Sequence, residues 1–289
     1  MKIVVTTPTG NVGSKVVLSL LRAGHRPTLF LRDSSKLSQE VLDQVDVVEG
    51  SLLDPAALDR AFIGADSVFF LTPPDYTSTD PSAYYQQVAE AVSASLRRTG
   101  VPRILHLSGA WNSSERGRGL LDGIAITEEI LDQLDAHVHH LRPGFFFENF
   151  NFQLGAIRAG QYYSSLDPNL KLPFVATKDI AETAALWLVN SNWVGKTAQE
   201  LCGPQVLTSL EALEEVSKGI GHKVEYVHVP AEAVIEGFMQ TGASREAAEA
   251  YSQMLDSINR KGSFNLPKVS ETTSTPLASW VFENLRTGV

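Results

Sequence analysis

Apolar positions in the first half of the chain fall into short, unbroken runs: Ile3 to Val5, Thr28 to Leu31, Val45 to Val48, Val68 to Leu71, Ile104 to Leu107 and Val138 to Leu141. Helical spacing fills most of the stretches between them. This alternation predicts a parallel sheet covered by helices on both faces, an α/β, doubly wound architecture. Helix ends carry the matching chemistry. Asp54-Pro55 and Asp80-Pro81 each set a capping carboxylate before a proline, and the second helix runs to Arg97-Arg98-Thr99 and stops at Gly100.

Beyond Pro143 the alternation loosens into the aromatic and asparagine-rich stretch GFFFENFNF, followed by a polar loop around Ser164 to Asn169. Asp179 reads as the N-cap of a helix from Ile180 to Val189. The tail alternates segments at Ser209 to Ile220, Val224 to Val229, Ala231 to Met239 and Arg245 to Asn259. The expected organisation is a nucleotide-binding domain over residues 1–150 and a small, mainly helical C-terminal lobe over 151–289. Some segments of the lobe should return to the first sheet. No internal repeat interrupts this pattern.

The first strand leads through TTPTGNVGS (Thr6 to Ser14) into the amphipathic stretch Lys15 to Arg22. Strand, glycine turn and helix in that order make a phosphate cradle, since backbone amides at a helix start point at a bound anion. Gly10 and Gly13 remove the side chains that would block close approach and close helix packing. The ligand this predicts is a dinucleotide. The first glycine of G-x-x-G-x-x-G falls at Thr7, whose β-carbon makes the tightest form of the turn harder to adopt.

At the end of the second strand an NAD site wants a carboxylate for the ribose hydroxyls. Here Arg32 follows the strand, with Lys36 four residues on. A guanidinium holds a 2′-phosphate bidentately, so NADP(H) is the expected cofactor and NAD(H) the alternative, with Asp33 the residue that argues for the latter.

A chain of 289 residues that is 43% hydrophobic can bury a large core. The net charge of −9 repels a phosphate backbone and argues against nucleic acid or an anionic membrane as partner. No apolar run approaches the ~20 residues of a membrane helix, and the start, MKIVV, has none of the features of a secretory signal. Cys202 is the sole cysteine, which excludes an internal disulfide and a cysteine metal cluster. The expected setting is cytoplasmic and the expected partner a small molecule. A second copy of the chain or a protein partner stays open, because the Tyr84 to Leu96 helix can face a subunit or the sheet.

TTPTGNVGS, FLRDSSKL after the second strand, FLTPP after the fourth, LSGA after the fifth and HLRPGFFFENF, with LCGPQVLTSLEALEEVSKGIGHKVEYVHVP further on, together resemble the NmrA-like, atypical short-chain dehydrogenase/reductase family. That resemblance implies a Rossmann domain with a small substrate lobe, NAD(P)(H) binding, and either reductase activity or non-catalytic redox sensing. It sets Thr7, Pro8, Thr9, Gly10, Asn11 and Val12 under the pyrophosphate, with Gly13 closing the turn. Ser51 and Leu52 lie beside the adenine, and Thr72, Pro73 and Pro74 along the ribose and nicotinamide. Phe146, Phe147, Glu148 and Asn149 lie near the nicotinamide.

Short-chain dehydrogenases use a tyrosine with a lysine four residues later, the ammonium lowering the phenol pKa. None of the seven tyrosines here has that lysine. Some relatives place a lysine or histidine at the start of the helix after the fifth strand; lining up ITEEILDQLD with it puts Ile124 there. An acceptor that takes hydride with little acid help fits this lack: a quinone, enone, imine or azo compound. Phe145 and its neighbours Phe146, Phe147, Phe150 and Phe152 can stack on a flat substrate, although core packing is expected for at least three of the five.

Ser108, at the end of the fifth strand, and His139 are the candidate catalytic groups, with strand or turn packing the competing role for each. Trp111, Asn112 and Phe145 are expected to line the substrate pocket. Glu148 is expected to face solvent or to meet a cation such as Arg142. His137, His139 and His140 alternate across a strand and cannot converge on one ion, so no metal is expected. The function expected is an NADPH-dependent oxidoreductase of a small conjugated acceptor; the alternative is an NADP(H)-binding sensor acting through a protein partner. Isomerase or lyase chemistry is a third class, for which no carboxylate pair or Cys-His dyad speaks.

Overall fold

The computed structural model describes residues 1–110, 115–262, 268 and 271–286. Its strands are β1 (Ile3–Thr6), β2 (Thr28–Leu31), β3 (Asp46–Glu49), β4 (Ser67–Phe70), β5 (Arg103–Leu107), β6 (His137–Pro143), β7 (Phe145–Phe146), β8 (Gln161–Ser164), β9 (Lys171–Val175), β10 (Lys196–Leu201), β11 (Val206–Thr208) and β12 (Glu225–His228). Its helices are α1 (Gly13–Arg22), α2 (Gln39–Leu42), α3 (Pro55–Phe62), α4 (Pro81–Thr99), α5 (Leu120–Asp132), α6 (Leu154–Arg158), α7 (Thr177–Val189), α8 (Ser209–Ile220), α9 (Ala231–Met239), α10 (Arg245–Lys261) and α11 (Leu277–Asn284).

Seven strands form one parallel sheet in the order β10-β6-β5-β4-β1-β2-β3. The order reverses between β1 and β4, and the carboxyl ends of these two strands open the crevice in which such sheets bind ligands. Alternate residues of the same strand pack on opposite faces. Val5, Leu105 and Leu141 meet Val16 and Leu20 of α1 and Ile180 and Ala184 of α7. Val4, Phe70, Ile104 and Val138 meet Leu58 of α3, Val88 and Val92 of α4 and Leu131 of α5. Burial on both faces is why these strands read as continuous apolar runs.

The strand that the apolar pattern does not show is β10, KTAQEL, at the sheet edge. Main-chain pairing with β6 recruits it, Lys196 opposite Val138 and Leu201 opposite Pro143, while its first three side chains stay in solvent. A polar, lysine-bearing edge resists pairing with another sheet, and it leaves no hydrophobic signature.

The remaining C-terminal segments gather round a core of their own. Phe147, Phe150, Phe174, Leu213, Val216, Leu255 and Trp280 form it, under a small sheet ordered β11-β9-β7 and a β12-β8 pair. Asp179 is not the helix cap expected of it. The helix α7 begins three residues earlier, at Thr177 after Ala176, and the buried Asp179 carboxylate accepts from the Thr275 amide (3.0 Å) and hydroxyl (2.6 Å). A distant partner has displaced the helix's own amides, and it ties the segment before α11 to the sheet-side helix. Among the described residues no helix is long and apolar enough to cross a membrane.

Candidate active site

The turn between β1 and α1 is built around one unusual backbone angle. Thr7 adopts φ +53°, which among the described residues no other non-glycine residue does at positive φ. Its hydroxyl donates to the Thr6 carbonyl at 2.7 Å, and the Gly10 amide donates to the Thr7 carbonyl at 3.1 Å. That carbonyl lies where a side chain of residue 13 would be: a β-carbon on Gly13 would stand 2.2 Å from it. Gly13 therefore lets α1 start directly beneath the turn. The cap residue Val12 has no side-chain acceptor, and the first turn of α1 carries no acidic residue of its own. Pro8 is buried, while Thr9, Gly10 and Asn11 form an exposed rim. The turn thus leaves an open, exposed rim directly above the start of α1.

Lys15, which the motif reading passed over, stands over the rim. Its ammonium donates to the Asn11 carbonyl at 3.0 Å and lies 3.9 Å from Glu148. At the end of β2, Arg32 and Lys36 are exposed. Asp33, the residue that spoke for NAD, turns its carboxylate on its own loop. It accepts from the Ser35 hydroxyl (2.6 Å) and amide (3.0 Å), and these two bonds, ahead of Lys36, hold its pKa below the usual range. Ser51 is exposed, its hydroxyl accepting from the Leu53 amide at 3.2 Å, and half-buried Leu52 packs on the core beneath.

Further along the carboxyl edge, Thr72 follows β4 and is buried, yet its Oγ1 has no hydrogen-bond partner among the described residues. A buried hydroxyl without a partner is costly and points to one supplied from outside the chain. Pro73 and Pro74 continue outward from it. The dinucleotide predicted from the sequence fits: the cradle opened by Gly10 and Gly13 suits its pyrophosphate, and Thr72 has a bond to make along its nicotinamide half.

Ser108 sits at the end of β5, its amide donating to the Leu141 carbonyl of β6 at 2.8 Å. Its hydroxyl donates to Glu128 of α5 at 2.5 Å. Glu128 is 4% exposed and is gripped by Arg142, Nε at 3.0 Å and Nη2 at 2.6 Å. Burial alone would raise this carboxyl; the Arg142 guanidinium, His140 and the Ser108 hydroxyl outweigh it and hold the pKa at about 2. Arg142 is thus taken by Glu128 and not by Glu148. The cation Glu148 meets is Lys15, at 3.9 Å, and its buried carboxylate accepts from the Thr177 amide and hydroxyl and the Trp280 indole (3.2 Å), joining the strand side of the molecule to α11.

Residues 1–279 match the NmrA-like family. The chain belongs to that family. An NAD(P)H azoreductase of Xenophilus azovorans is 25% identical over 255 residues, 87% of this chain and 85% of that one. The triphenylmethane reductase of Citrobacter sp., solved in complex with NADP(H), superposes with a TM-score of 0.81 at 22% identity, covering 98% of this chain and 99% of its own. An NADPH-dependent quinone oxidoreductase of Escherichia coli, complexed with NADPH, gives a TM-score of 0.79 at 22% identity, covering 97% and 99%.

Within this NmrA-like frame several expected site residues part company. His139 lies in the body of β6, 2% exposed, on the face covered by α7. Its Nδ1 meets Thr197 Oγ1 at 2.8 Å and its ring stacks on Trp187 at 3.7 Å. It stands four residues short of the strand's carboxyl end, ~13 Å by strand rise. Burial, then His140 beside it, push its pKa down to about 4. His139 is a packing residue and does not reach the cleft.

Of the five phenylalanines, Phe147 and Phe150 are core, Phe145 and Phe146 are half-buried on the two cores, and Phe152 is 74% exposed. Asn149 is half-buried beside them. Trp111 and Asn112 lie outside the described residues.

The sequence reading missed Glu128. Leu121, Ala125 and Glu128 recur at the spacing of one helix face, which was the available signal; the neighbouring Glu129 turns outward to Arg116. His106, Glu128 and His140 also approach one another with metal-like spacing, potential ligand atoms within 4.8 Å. Hydrogen bonds already engage this set: His106 Nδ1 to His140 Nδ1 at 3.0 Å, His140 Nε2 to Asp132 at 3.1 Å, and Arg142 on Glu128. Burial, then His140, lower the His106 pKa to about 3, so its ring is neutral.

Proposed function

We propose that this chain is an NADPH-dependent oxidoreductase that passes hydride to a small conjugated organic acceptor. The observation that carries the reading is the pairing, at one sheet edge, of the Thr7–Gly13 turn with the Thr72 hydroxyl, which has no partner among the described residues. The reductases among its relatives, for azo compounds, triphenylmethane dyes and quinones, support the same class of chemistry.

In this reading the first-turn amides of α1 hold the pyrophosphate and Lys15 adds a positive charge at the rim. Arg32 and Lys36 take the 2′-phosphate, while Asp33 turns its carboxylate to Ser35. Ser51 and Leu52 flank the adenine. Thr72, Pro73 and Pro74 line the ribose and nicotinamide, and Phe146 and Asn149 close the far side, with the core residue Phe147 behind them. The bound cofactor supplies hydride. Residues 1–150 hold the nucleotide and the lobe over 151–289 shapes the substrate cleft, while β10 extends the sheet and α7 covers one face of it. No Tyr-Lys acid stands near Ser108, since Leu121, Ile124 and Ala125 occupy that part of α5. The acceptor must therefore delocalise its own charge.

A second reading, an NADP(H) sensor working through a protein partner, draws on the same lack of an acid. Calorimetric titration with NADPH and NADP⁺, followed by NADPH absorbance under challenge with an azo dye, a quinone, an enone and an imine, separates them. NADPH binding with decay on one acceptor is the expected result. Binding without decay on any of the four transfers the assignment to the sensor, and no binding of nucleotide overturns both.

A further inference from the structure

A serine hydroxyl carries one proton, and the neighbours of Ser108 decide where it points. The ionised Glu128 carboxylate can only accept, and the 2.5 Å contact is a charge-assisted bond, so the Ser108 proton is committed to it. Glu128 is itself held at two positions by Arg142, and the Ser108 backbone is pinned to Leu141. What Ser108 offers at the carboxyl edge of the sheet is its lone pairs. Thr72 lies at the same edge on the adjacent strand, two residues on from Phe70 as Ser108 is from its register partner His106. Arg142 behind this pair is flanked by a second carboxylate, Glu200 at 3.9 Å, so the group presents no net positive charge.

We propose that Ser108, locked as a hydrogen-bond acceptor by Glu128, selects an acceptor substrate that brings a donor to the reacting end: a protonated imine, whose N–H donates to Ser108 Oγ. The inference rests on the reductase reading and names the substrate class for it. The step balances without an acid. Hydride leaves the dihydronicotinamide with both electrons of its C–H bond and forms a C–H bond at the imine carbon. The C=N π pair moves onto nitrogen, which keeps its proton, and the products are a neutral amine and the oxidised nicotinamide. A quinone or enone instead gathers negative charge on oxygen, where lone pairs backed by a carboxylate repel it. The missing Tyr-Lys pair and the orientation of Ser108 then have one explanation.

The test compares protonated dihydroisoquinoline, its N-methyl iminium salt, which has the same ring and charge but no N–H, and benzoquinone. NADPH oxidation by the wild type should show the highest kcat/KM for the N–H iminium. Ser108→Ala should cut the ratio of N–H to N-methyl turnover about tenfold, the effect of one hydrogen bond to a charged group. Calorimetric binding of dihydroisoquinolinium to the NADP⁺-loaded protein should weaken by a similar factor, and NADPH affinity in the same titration reports an intact fold. Glu128→Gln, whose amide can donate to Ser108 and free its proton, should move preference toward benzoquinone. An unchanged N–H to N-methyl ratio in Ser108→Ala, or a wild type that prefers benzoquinone, overturns the inference alone. No oxidation with any of the three overturns the inference, and the reductase reading falls with it when the azo dye and the enone also leave NADPH unoxidised.

Discussion

Replacing Glu128 by glutamine keeps the shape of the side chain and removes its charge from beneath the cleft. The wild-type carboxyl is held at about 2 against an ordinary value of 4.5, first against its burial and then by Arg142, His140 and Ser108. At about 1.36 kcal/mol for each pH unit, that depression amounts to about 3 kcal/mol of native-state stability. The sign follows from a folded-state pKa below the unfolded one. The contribution is complete above pH 4.5 and is lost as pH falls toward 2, with about 2 kcal/mol gone by pH 3. Urea unfolding of both proteins at intervals from pH 7 to pH 3 measures it. Other depressed carboxyls such as Asp33 and Asp59 are common to both and cancel in the difference. The stability gap between wild type and Glu128→Gln should narrow by about 2 kcal/mol over that range. A gap that stays constant would falsify the buried charge network as described.

Three further outcomes are expected. Gly13→Ala places a methyl 2.2 Å from the Thr7 carbonyl, so the turn must shift by about 1 Å; stability should fall by about 1–3 kcal/mol and NADPH affinity at least tenfold, and unchanged affinity in calorimetry would sink the cradle assignment. Arg32→Ala should weaken NADPH about tenfold while leaving NADH within twofold, the loss of one bidentate phosphate contact; equal losses for both would remove Arg32 from the 2′-phosphate site. Asp179→Ala strands the buried Thr275 amide and hydroxyl, costing about 1.5–3 kcal/mol, and amide exchange at Thr275 should accelerate well beyond that of β1; equal acceleration in both would mean global loosening and no specific tie.

Much of the fold was legible because the parallel sheet buries both faces of its strands. The five interior strands and the β3 edge announce themselves as apolar runs, and Asp54, Asp80 and Gly100 mark helix ends by interactions within a few residues. The glycine turn was legible because it is local, Gly10 and Gly13 acting within a few residues of Thr7. The Thr7 substitution showed where the turn departs from the glycine pattern, and the chain meets that departure with a threonine at φ +53°. Asp179 marks the limit of local reasoning: aspartate before a helix is a cap unless a distant donor claims it, and Thr275 is 96 residues away.

By itself, then, the sequence determined the periodicities, the glycine turn, the absence of a Tyr-Lys pair and the family-like order of motifs, all properties of neighbouring residues or of residue identity. Tertiary structure decided what depends on which strands lie side by side. It recruited the polar β10 through main-chain bonds, sent His139 to the face under Trp187, and sorted the phenylalanines between core and solvent. It also brought Ser108, Glu128 and Arg142 together from β5, α5 and β6. A buried charge is tolerated only where partners surround it, and those partners came from elements far apart in the chain.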